Sequence, residues 1–159
     1  MTNLRWLTLV IAVWALLAPA AHLLEAPNKF ALDGPLWLSV QQSLYRGWGA
    51  LIGGPSEIAA LALSLYLWIT TKCSARSRRF HAIAAGAYAG MLVAFFVFNA
   101  PVNDAVDGWT WAALPDDWQS YRQKWEIGHA ISALLAMIGL WATLKGTLLA
   151  ITGRSDQPA

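Results

Sequence analysis

The sequence predicts an all-α integral membrane protein in which four helices form a bundle. Of its 159 residues, 57% are hydrophobic and only 13% are charged, about half the charged share of a soluble domain. The apolar residues are gathered into four stretches, each with about the 20 residues that a helix needs to cross a bilayer core. Segments of this length have no other way to span lipid. The stretches run from Leu4 to Leu24, Gly49 to Trp68, Phe80 to Phe98 and Ile127 to Leu149.

The chain is predicted to form a single domain followed by a disordered tail at residues 153–159. Pro27 is expected to end the first span, because proline disrupts a helix interior. Ser56 is the expected N-cap of the second span, which places Glu57 in its first helical turn. We therefore set the four spans at about residues 4–24, 55–72, 80–99 and 125–149.

Two links between the spans are long enough to hold structure of their own. In the first, Asp33-Gly34-Pro35 is a turn followed by a short helix with proline at its start, which we expect to lie in the membrane interface. In the second, the turn at residues 114–117 is expected to start the fourth helix before it enters the membrane. Most of the ten tryptophans lie in or beside these links. Because Trp favours membrane interfaces, the two links are predicted to form a Trp-rich cap.

The charges predict the orientation of the bundle. The link between the second and third spans is basic, whereas the link between the third and fourth holds four aspartates. The positive-inside rule places the basic link in the cytoplasm. Both termini are then cytoplasmic, and the long links face the outer side of a bacterial inner (plasma) membrane. The single cysteine, Cys73, excludes an internal disulfide. The basic link holds Lys72, Arg76, Arg78 and Arg79, and the other link holds Asp104, Asp107, Asp116 and Asp117 against Arg122 and Lys124.

Polar residues gather at the outer end of every predicted span. His22 and Glu25 are three residues apart, as are Glu126 and His129, so each pair shares a helix face. A charged side chain at mid-membrane costs about 2.5–3.5 kcal/mol, so the glutamates need a neutralising partner: protons, the histidines, Arg46, Lys29 or a metal. The inner halves of the spans are interpreted as apolar, with His81 an ordinary interfacial histidine. The outer set is His22, Glu25, Glu57, Asn99, Asn103, Glu126 and His129.

The spacing of the outer set indicates a metal site. Dinuclear carboxylate sites in four-helix bundles use Glu-x-x-His from two helices and a Glu from each of the others. This chain has Glu126-x-x-His129 in that order and His22-x-x-Glu25 in reverse, but its third span supplies no carboxylate, so the set is incomplete. We expect one or two ions, iron first, with copper, manganese or zinc as other candidates. The alternatives are a hydrogen-bonded cluster that caps helix ends and a haem held by the two histidines. The predicted metal ligands are His22, Glu25, Glu57, Glu126 and His129.

Three stretches of the chain resemble the anthrone-oxygenase-like family of membrane proteins: HLLEAPNKFALDGPLWLSVQQSLYRGWG, FNAPVNDAVDGWT and LPDDWQSYRQKWEIGHA. The resemblance covers nearly the whole chain, and Asn-x-x-x-Asn and Trp-Glu-x-x-His are its most specific parts. It implies a small four-span protein. Some members oxidise anthrones to anthraquinones with dioxygen and are described as needing no added cofactor.

Together these observations predict a membrane oxidoreductase, an oxygenase that acts on a lipophilic aromatic or quinone-like molecule at the outer leaflet. The five predicted metal ligands are also the predicted catalytic residues. In a metal-free version, a Glu–His pair removes a proton from the substrate and the carbanion reacts with dioxygen. The predicted substrate contacts are Asn28, Gln41, Asn99, Asn103, Trp109 and Trp125.

Three other functions stay open. A transporter or proton-coupled binding protein would use the same intramembrane charges, but the inner halves of the spans, taken as apolar, count against it. A haem or quinone electron carrier and a purely structural subunit are the other two. The expected partners are the lipid bilayer and a lipophilic small molecule, with no nucleic acid, and the oligomeric state is open.

Overall fold

A computed structural model describes residues 2–72 and 74–155 of the chain. These residues form six α-helices and two π-helical turns, and within the described ranges there is no β-strand. An isolated antiparallel β-bridge pairs Thr110 with Ala113. The elements are α1 (Thr2–Phe30), α2 (Gly34–Ser43), a first π-turn (Gly49–Gly53), α3 (Gly54–Thr70), α4 (Ala75–Ala94), a second π-turn (Phe95–Asn99), α5 (Ala100–Asp107) and α6 (Trp118–Ser155).

Four helical segments are long and apolar enough to cross a membrane, which confirms the predicted fold class. They have 29, 22, 33 and 35 residues, and about 20 suffice for the hydrocarbon core. The chain is therefore an integral membrane protein. The segments are Thr2–Phe30, Gly49–Thr70, Ala75–Asp107 and Trp118–Thr152.

The four spans close into a bundle. α4 packs along both α3 and α6, α6 packs along α1, and α1 packs on α3. Because successive spans run in opposite directions, residues 31–48 and 108–117 lie at one end of the bundle, called the long-link end below. The described residues between α3 and α4 lie at the other, called the short-link end, together with the start of α1 and the end of α6.

Small residues let the helices approach closely, which is the main source of helix association in lipid. On α6, a Cβ atom added to Gly139 would lie 2.6 Å from the Tyr88 ring, and one added to Gly146 would lie 2.9 Å from the His81 ring. Alanines fill most of the rest of this core, so the backbones are near one another through the middle of the bundle. The buried alanines are Ala12, Ala15, Ala60, Ala84, Ala136 and Ala142.

The two long links pack on each other. Asp33 caps α2 by accepting a hydrogen bond of 2.9 Å from the Leu36 amide, so the predicted helix start is confirmed. Trp37 is fully buried in a cluster that includes Val102 and Trp125. The Gln42 amide donates to two carbonyl groups of the second link, at 2.8 and 3.0 Å.

Several helix ends differ from the predictions. α1 continues through Pro27 to Phe30, so the prediction that Pro27 ends the first span is wrong. The turn after Pro27 is held because Arg122 donates a hydrogen bond of 3.1 Å to the Lys29 carbonyl. Ser56 is not the N-cap: it lies inside α3, whose cap is Gly53, and its hydroxyl donates back to the Gly53 carbonyl.

Other predicted helix boundaries are confirmed or lie outside the described residues. Glu57 lies in the first turn of α3, and α6 starts at Trp118, directly after the predicted turn at 114–117. The helix of the fourth span continues to Ser155, while residues 156–159 of the predicted disordered tail, and Cys73, lie outside the described residues.

We expect Gly139→Ala to destabilise the bundle, because the added methyl group would overlap the ring of Tyr88, which is itself fully buried. Overpacking of this kind costs about 1–3 kcal/mol. Thermal unfolding in a mild detergent measures the effect. The matched control is Gly86→Ala on α4, where an added Cβ meets nothing within 4 Å and alanine should be neutral or stabilising. Equal melting temperatures for both variants would contradict the close approach of α4 and α6.

Candidate functional site

A cavity of about 1110 Å³ lies at the long-link end of the bundle. Each span contributes a polar side chain to its wall: His22 from the first, Glu57 from the second, Asn99 from the third and His129 from the fourth. Its volume is at the upper limit of ordinary ligand pockets, which hold roughly 300–1,000 Å³. The predicted convergence of polar residues at one end of the bundle therefore produces a cavity that can hold a small molecule.

Two histidines lie against each other in the cavity wall. The ring centroids of His22 and His129 are 4.1 Å apart, and Trp125 packs edge-on against both, at 4.7 and 4.2 Å. Tyr45 covers another edge of His22 at 4.5 Å. His22 is buried and its Nδ1 has no hydrogen-bond partner among the described residues. Both histidines line the cavity, so the pair forms part of the surface that an occupant would contact.

A buried ion pair stands beside the histidine pair. Lys29 Nζ lies 2.9 Å from a carboxylate oxygen of Glu126, and both side chains are almost fully buried. The same ammonium group lies over the ring of Trp125, 4.7 Å from its centroid, and 5.5 Å from that of Tyr45. Lys29 is thus the neutralising partner of Glu126. A buried charge left without its partner is strongly destabilising, so the two residues depend on each other.

Glu25 has a different partner. Its side chain is 42% exposed, and its carboxylate lies 3.9 Å from His22 Nδ1, beyond hydrogen-bonding distance. It accepts a hydrogen bond from the Tyr45 hydroxyl instead. Burial, and then the nearby Glu25 carboxylate, raises the pKa of Tyr45, so the phenol keeps its proton and remains a donor. Tyr45 thereby connects the first long link to the end of α1.

The two asparagines of the third span hold Trp125 in place. Asn99 Nδ2 donates to the Trp125 carbonyl at 3.0 Å, and Trp125 Nε1 donates to Asn103 Oδ1 at 2.9 Å. A side chain at position 128 would overlap the Asn99 side chain, so Gly128 leaves the room that Asn99 occupies. Both asparagines also line the cavity, but Asn103 fixes the indole that packs on the histidines and Asn99 fixes the backbone of the same residue.

The predicted site residues divide into two groups by position. Gln41 lines the cavity with its amide nitrogen unpaired among the described residues, and Trp109 lines it too. Glu25 and Glu126 lie near the histidine pair but do not line the cavity. Asn28 is exposed and lies outside it. The cavity-lining members of the predicted set are His22, Gln41, Glu57, Asn99, Asn103, Trp109, Trp125 and His129.

The residues present do not fit the predicted metal centre. Within residues 2–72 and 74–155, no group of three or more His, Cys, Asp or Glu side chains could hold a metal ion. Glu126 is paired with an ammonium group and Glu25 with a phenol, so two of the five predicted ligands have other partners. A haem held by both histidines fits no better, since it would need one imidazole on each face of the porphyrin and the two rings are already in contact.

Four residues of the site were not singled out from the sequence. Tyr45 and Trp48 pack on His22, the latter at 5.6 Å, Gln42 joins the links, and Arg122 donates to two carbonyls after Pro27. Arg122 carried one usable signal, its position four residues before Glu126 on the same helix face. The other three depend on how the first link folds over the bundle.

The short-link half of the bundle is not apolar, which corrects the interpretation made from hydropathy. His81 is fully buried, its ring lies against Gly146, and neither ring nitrogen has a hydrogen-bond partner in the described chain. It is therefore not an interfacial histidine. Arg5 donates to Thr71 at 3.3 Å. The buried polar residues of this half and of the mid-bundle are Arg5, Thr8, Ser64, Thr71, Ser77, His81, Thr143 and Thr147.

The fold and the cavity together define a class: a four-span integral membrane protein with an aromatic, histidine-containing cavity at one end. Residues 42–142 match the sequence model of a family described as anthrone oxygenase. The match spans well over half of the chain, so the chain belongs to the anthrone oxygenase family, as its resemblance predicted. It includes Glu57, Asn99 and His129 but begins after His22. No curated protein and no solved structure gives a significant match.

We predict that Lys29→Met destabilises the protein by about 3–5 kcal/mol, because it leaves the Glu126 carboxylate buried and unpaired. The double variant Lys29→Met/Glu126→Leu should recover much of that loss, since replacing both partners of a buried pair is often neutral. Unfolding in mixed micelles measures both. Arg46→Met, at an exposed position, is the control for loss of a cation. Glu126→Leu is measured alone as well. If the double variant lost as much stability as Lys29→Met and Glu126→Leu added together, the ion pair would be ruled out.

Proposed function

We propose that this protein is a membrane-embedded oxygenase that oxidises a lipophilic aromatic or quinone-like molecule in the cavity at the long-link end. The observation that carries the proposal is the histidine pair in the wall of that cavity, in a chain of the anthrone oxygenase family. A neutral imidazole is a suitable general base near neutral pH. The aromatic side chains around it are suited to a flat, apolar substrate.

The chemistry needs a base and dioxygen. An anthrone carries a CH₂ group that is acidic because two aromatic rings and a conjugated carbonyl stabilise its carbanion. His129 accepts one proton from this carbon, and the carbanion forms a C–O bond with dioxygen. The imidazolium returns its proton to the peroxide, which loses water by breaking the O–O bond and the remaining C–H bond. CH₂ and O₂ thus become C=O and H₂O, with the carbon oxidised and dioxygen reduced by the same number of electrons.

The other groups of the site have supporting roles in this proposal. His22 lies in contact with His129 and can accept the same proton in turn. Gln41 has an unpaired amide nitrogen at the cavity wall, which suits a hydrogen bond to the substrate carbonyl as negative charge develops there. Asn99 and Asn103 act as positioning residues through Trp125.

The orientation is part of the proposal. The basic link between the second and third spans is expected to lie in the cytoplasm of a bacterial cell, so that the cavity opens toward the outer leaflet. A green fluorescent protein fused to the C-terminus should fluoresce, and alkaline phosphatase fused there should be inactive. Active phosphatase and dark fluorescent protein would reverse the orientation.

The test of function is oxygen uptake by purified protein in lipid nanodiscs supplied with an anthrone. We expect one dioxygen consumed per anthraquinone formed, at a rate well above spontaneous oxidation. His129→Gln should lower kcat by about 10²–10⁴-fold, the usual contribution of a general base, and Gln41→Leu should lower it less. The control is Asn28→Ala, which alters an exposed residue outside the cavity. Unchanged kcat in His129→Gln would remove His129 from the mechanism.

Two other results would assign the cavity differently. Loss of activity on chelation, restored by iron, copper, manganese or zinc, would favour the metal-dependent alternative. Proton movement into proteoliposomes on ligand addition, without oxygen uptake, would favour proton-coupled transport. That second candidate is supported by the buried polar residues of the short-link half, among them His81 and Thr147 with unpaired nitrogen and oxygen atoms in the described chain.

A further inference from the structure

The second and third spans separate beside the cavity. α3 packs along the length of α4. The second π-turn continues the third span beyond α4, and it packs mainly on α6, α5 and α4. Beyond Ala94, toward the long links, the third span therefore packs on the fourth span rather than on the second. The cavity is lined on this side by residues of both separating segments, Glu57 and Ile58 from one and Phe95 and Phe96 from the other.

Beside the cavity, the second and third spans each contain a π-helical turn and so depart from regular α-helix. The first π-turn precedes α3 and the second precedes α5, and each is followed at once by a helix with proline in its first turn. π-helical turns occur frequently at functional sites. Gly49 and Gly53 both line the cavity, and a Cβ added to Gly49 would meet nothing within 4 Å. The wall is thus low in side-chain bulk on the side of the second span.

The exposed residues that line the cavity show what the opening faces. Ile58 is 58% exposed and Phe96 is 68% exposed, and both are apolar residues in membrane-spanning segments. Nearer the long links, Arg46 and Asp107 are exposed and also line the cavity. The opening therefore has an apolar edge formed by residues of the spans and a charged edge nearer the links.

The side of the cavity under the links is more closely covered. Trp37 packs within 6.4 Å of Trp109 and 5.9 Å of Trp118, by ring centroids. The Gln42 amide joins the first link to the Val106 and Trp109 carbonyls of the second. Entry between the two links at these contacts would require them to open, whereas entry between Ile58 and Phe96 would leave them closed.

We propose that the gap between Ile58 and Phe96 is a lateral portal through which a flat, lipophilic molecule dissolved in the adjoining leaflet enters the cavity. This inference rests on the proposed function for the identity of its occupant. The apolar edge accepts the aromatic body of the molecule, while Arg46 and Asp107 lie where its polar oxygen would stay at the interface. The molecule then reaches the histidine pair without passing between the two long links.

The test places a bulky group at the portal. In a Cys73→Ser background, Ile58→Cys and Phe96→Cys are each labelled with a large maleimide after reconstitution into nanodiscs. The controls are Ile69→Cys and Val93→Cys on the same two spans, which are 70% and 63% exposed but do not line the cavity. The probe is a fluorescent three-ring aromatic added in lipid vesicles, and its binding is followed by energy transfer from tryptophan.

Labelling at Ile58→Cys or Phe96→Cys should slow association of the probe about tenfold or more, as expected when access is obstructed. Labelling at the control positions should leave the rate unchanged. Equal association rates for portal and control labels would overturn the portal, even in a protein that oxidises anthrones. Slow association at the portal labels alone, in a protein that oxidises no anthrone, would support the portal and refute the oxygenase. Failure of the probe to bind the unlabelled protein would overturn the portal as well.

Discussion

The structure of the site depends on the buried ion pair between Lys29 and Glu126. Glu126 is one helical turn before His129 on α6, and Lys29 is two turns after His22 on α1, so the pair fixes the register of the first span against the fourth. That register brings the two imidazole rings to 4.1 Å. The ammonium group also lies over Trp125 and Tyr45, two of the aromatic residues that pack on His22. Two buried charges are costly in a membrane protein unless they are paired, which makes any other register unfavourable.

The two halves of the bundle are packed differently. Toward the short link, glycine and alanine bring the backbones together, and Tyr88 and His81 fill the remaining space against Gly139 and Gly146. Toward the long links, the spans separate at two π-turns and large aromatic side chains replace the alanines. The tightly packed half can supply the stability, while the open half holds the cavity. The small residues of the first half matter because lipid gives helices no hydrophobic driving force to associate.

Much of the fold could be predicted from the sequence, because apolar stretches of about 20 residues have one solution in lipid. The convergence of His22 and His129 was also predictable from spacing. The partners were not: whether Glu126 meets a metal or Lys29 depends on helix rotation and on the anchoring of the turn after Pro27 by Arg122. The polar short-link half was missed because residues such as Thr8 and Thr143 donate to carbonyls of their own helix and so are tolerated in apolar segments.

The most direct measurement is a crystal structure of the protein in a lipidic phase with a bound anthraquinone, the proposed product. We predict the ring system in the cavity against His22 and His129, with one carbonyl oxygen near Gln41 and with Lys29 still paired to Glu126. A ligand bound elsewhere, or histidines drawn apart around a metal ion with Glu126 released from Lys29, would contradict the account.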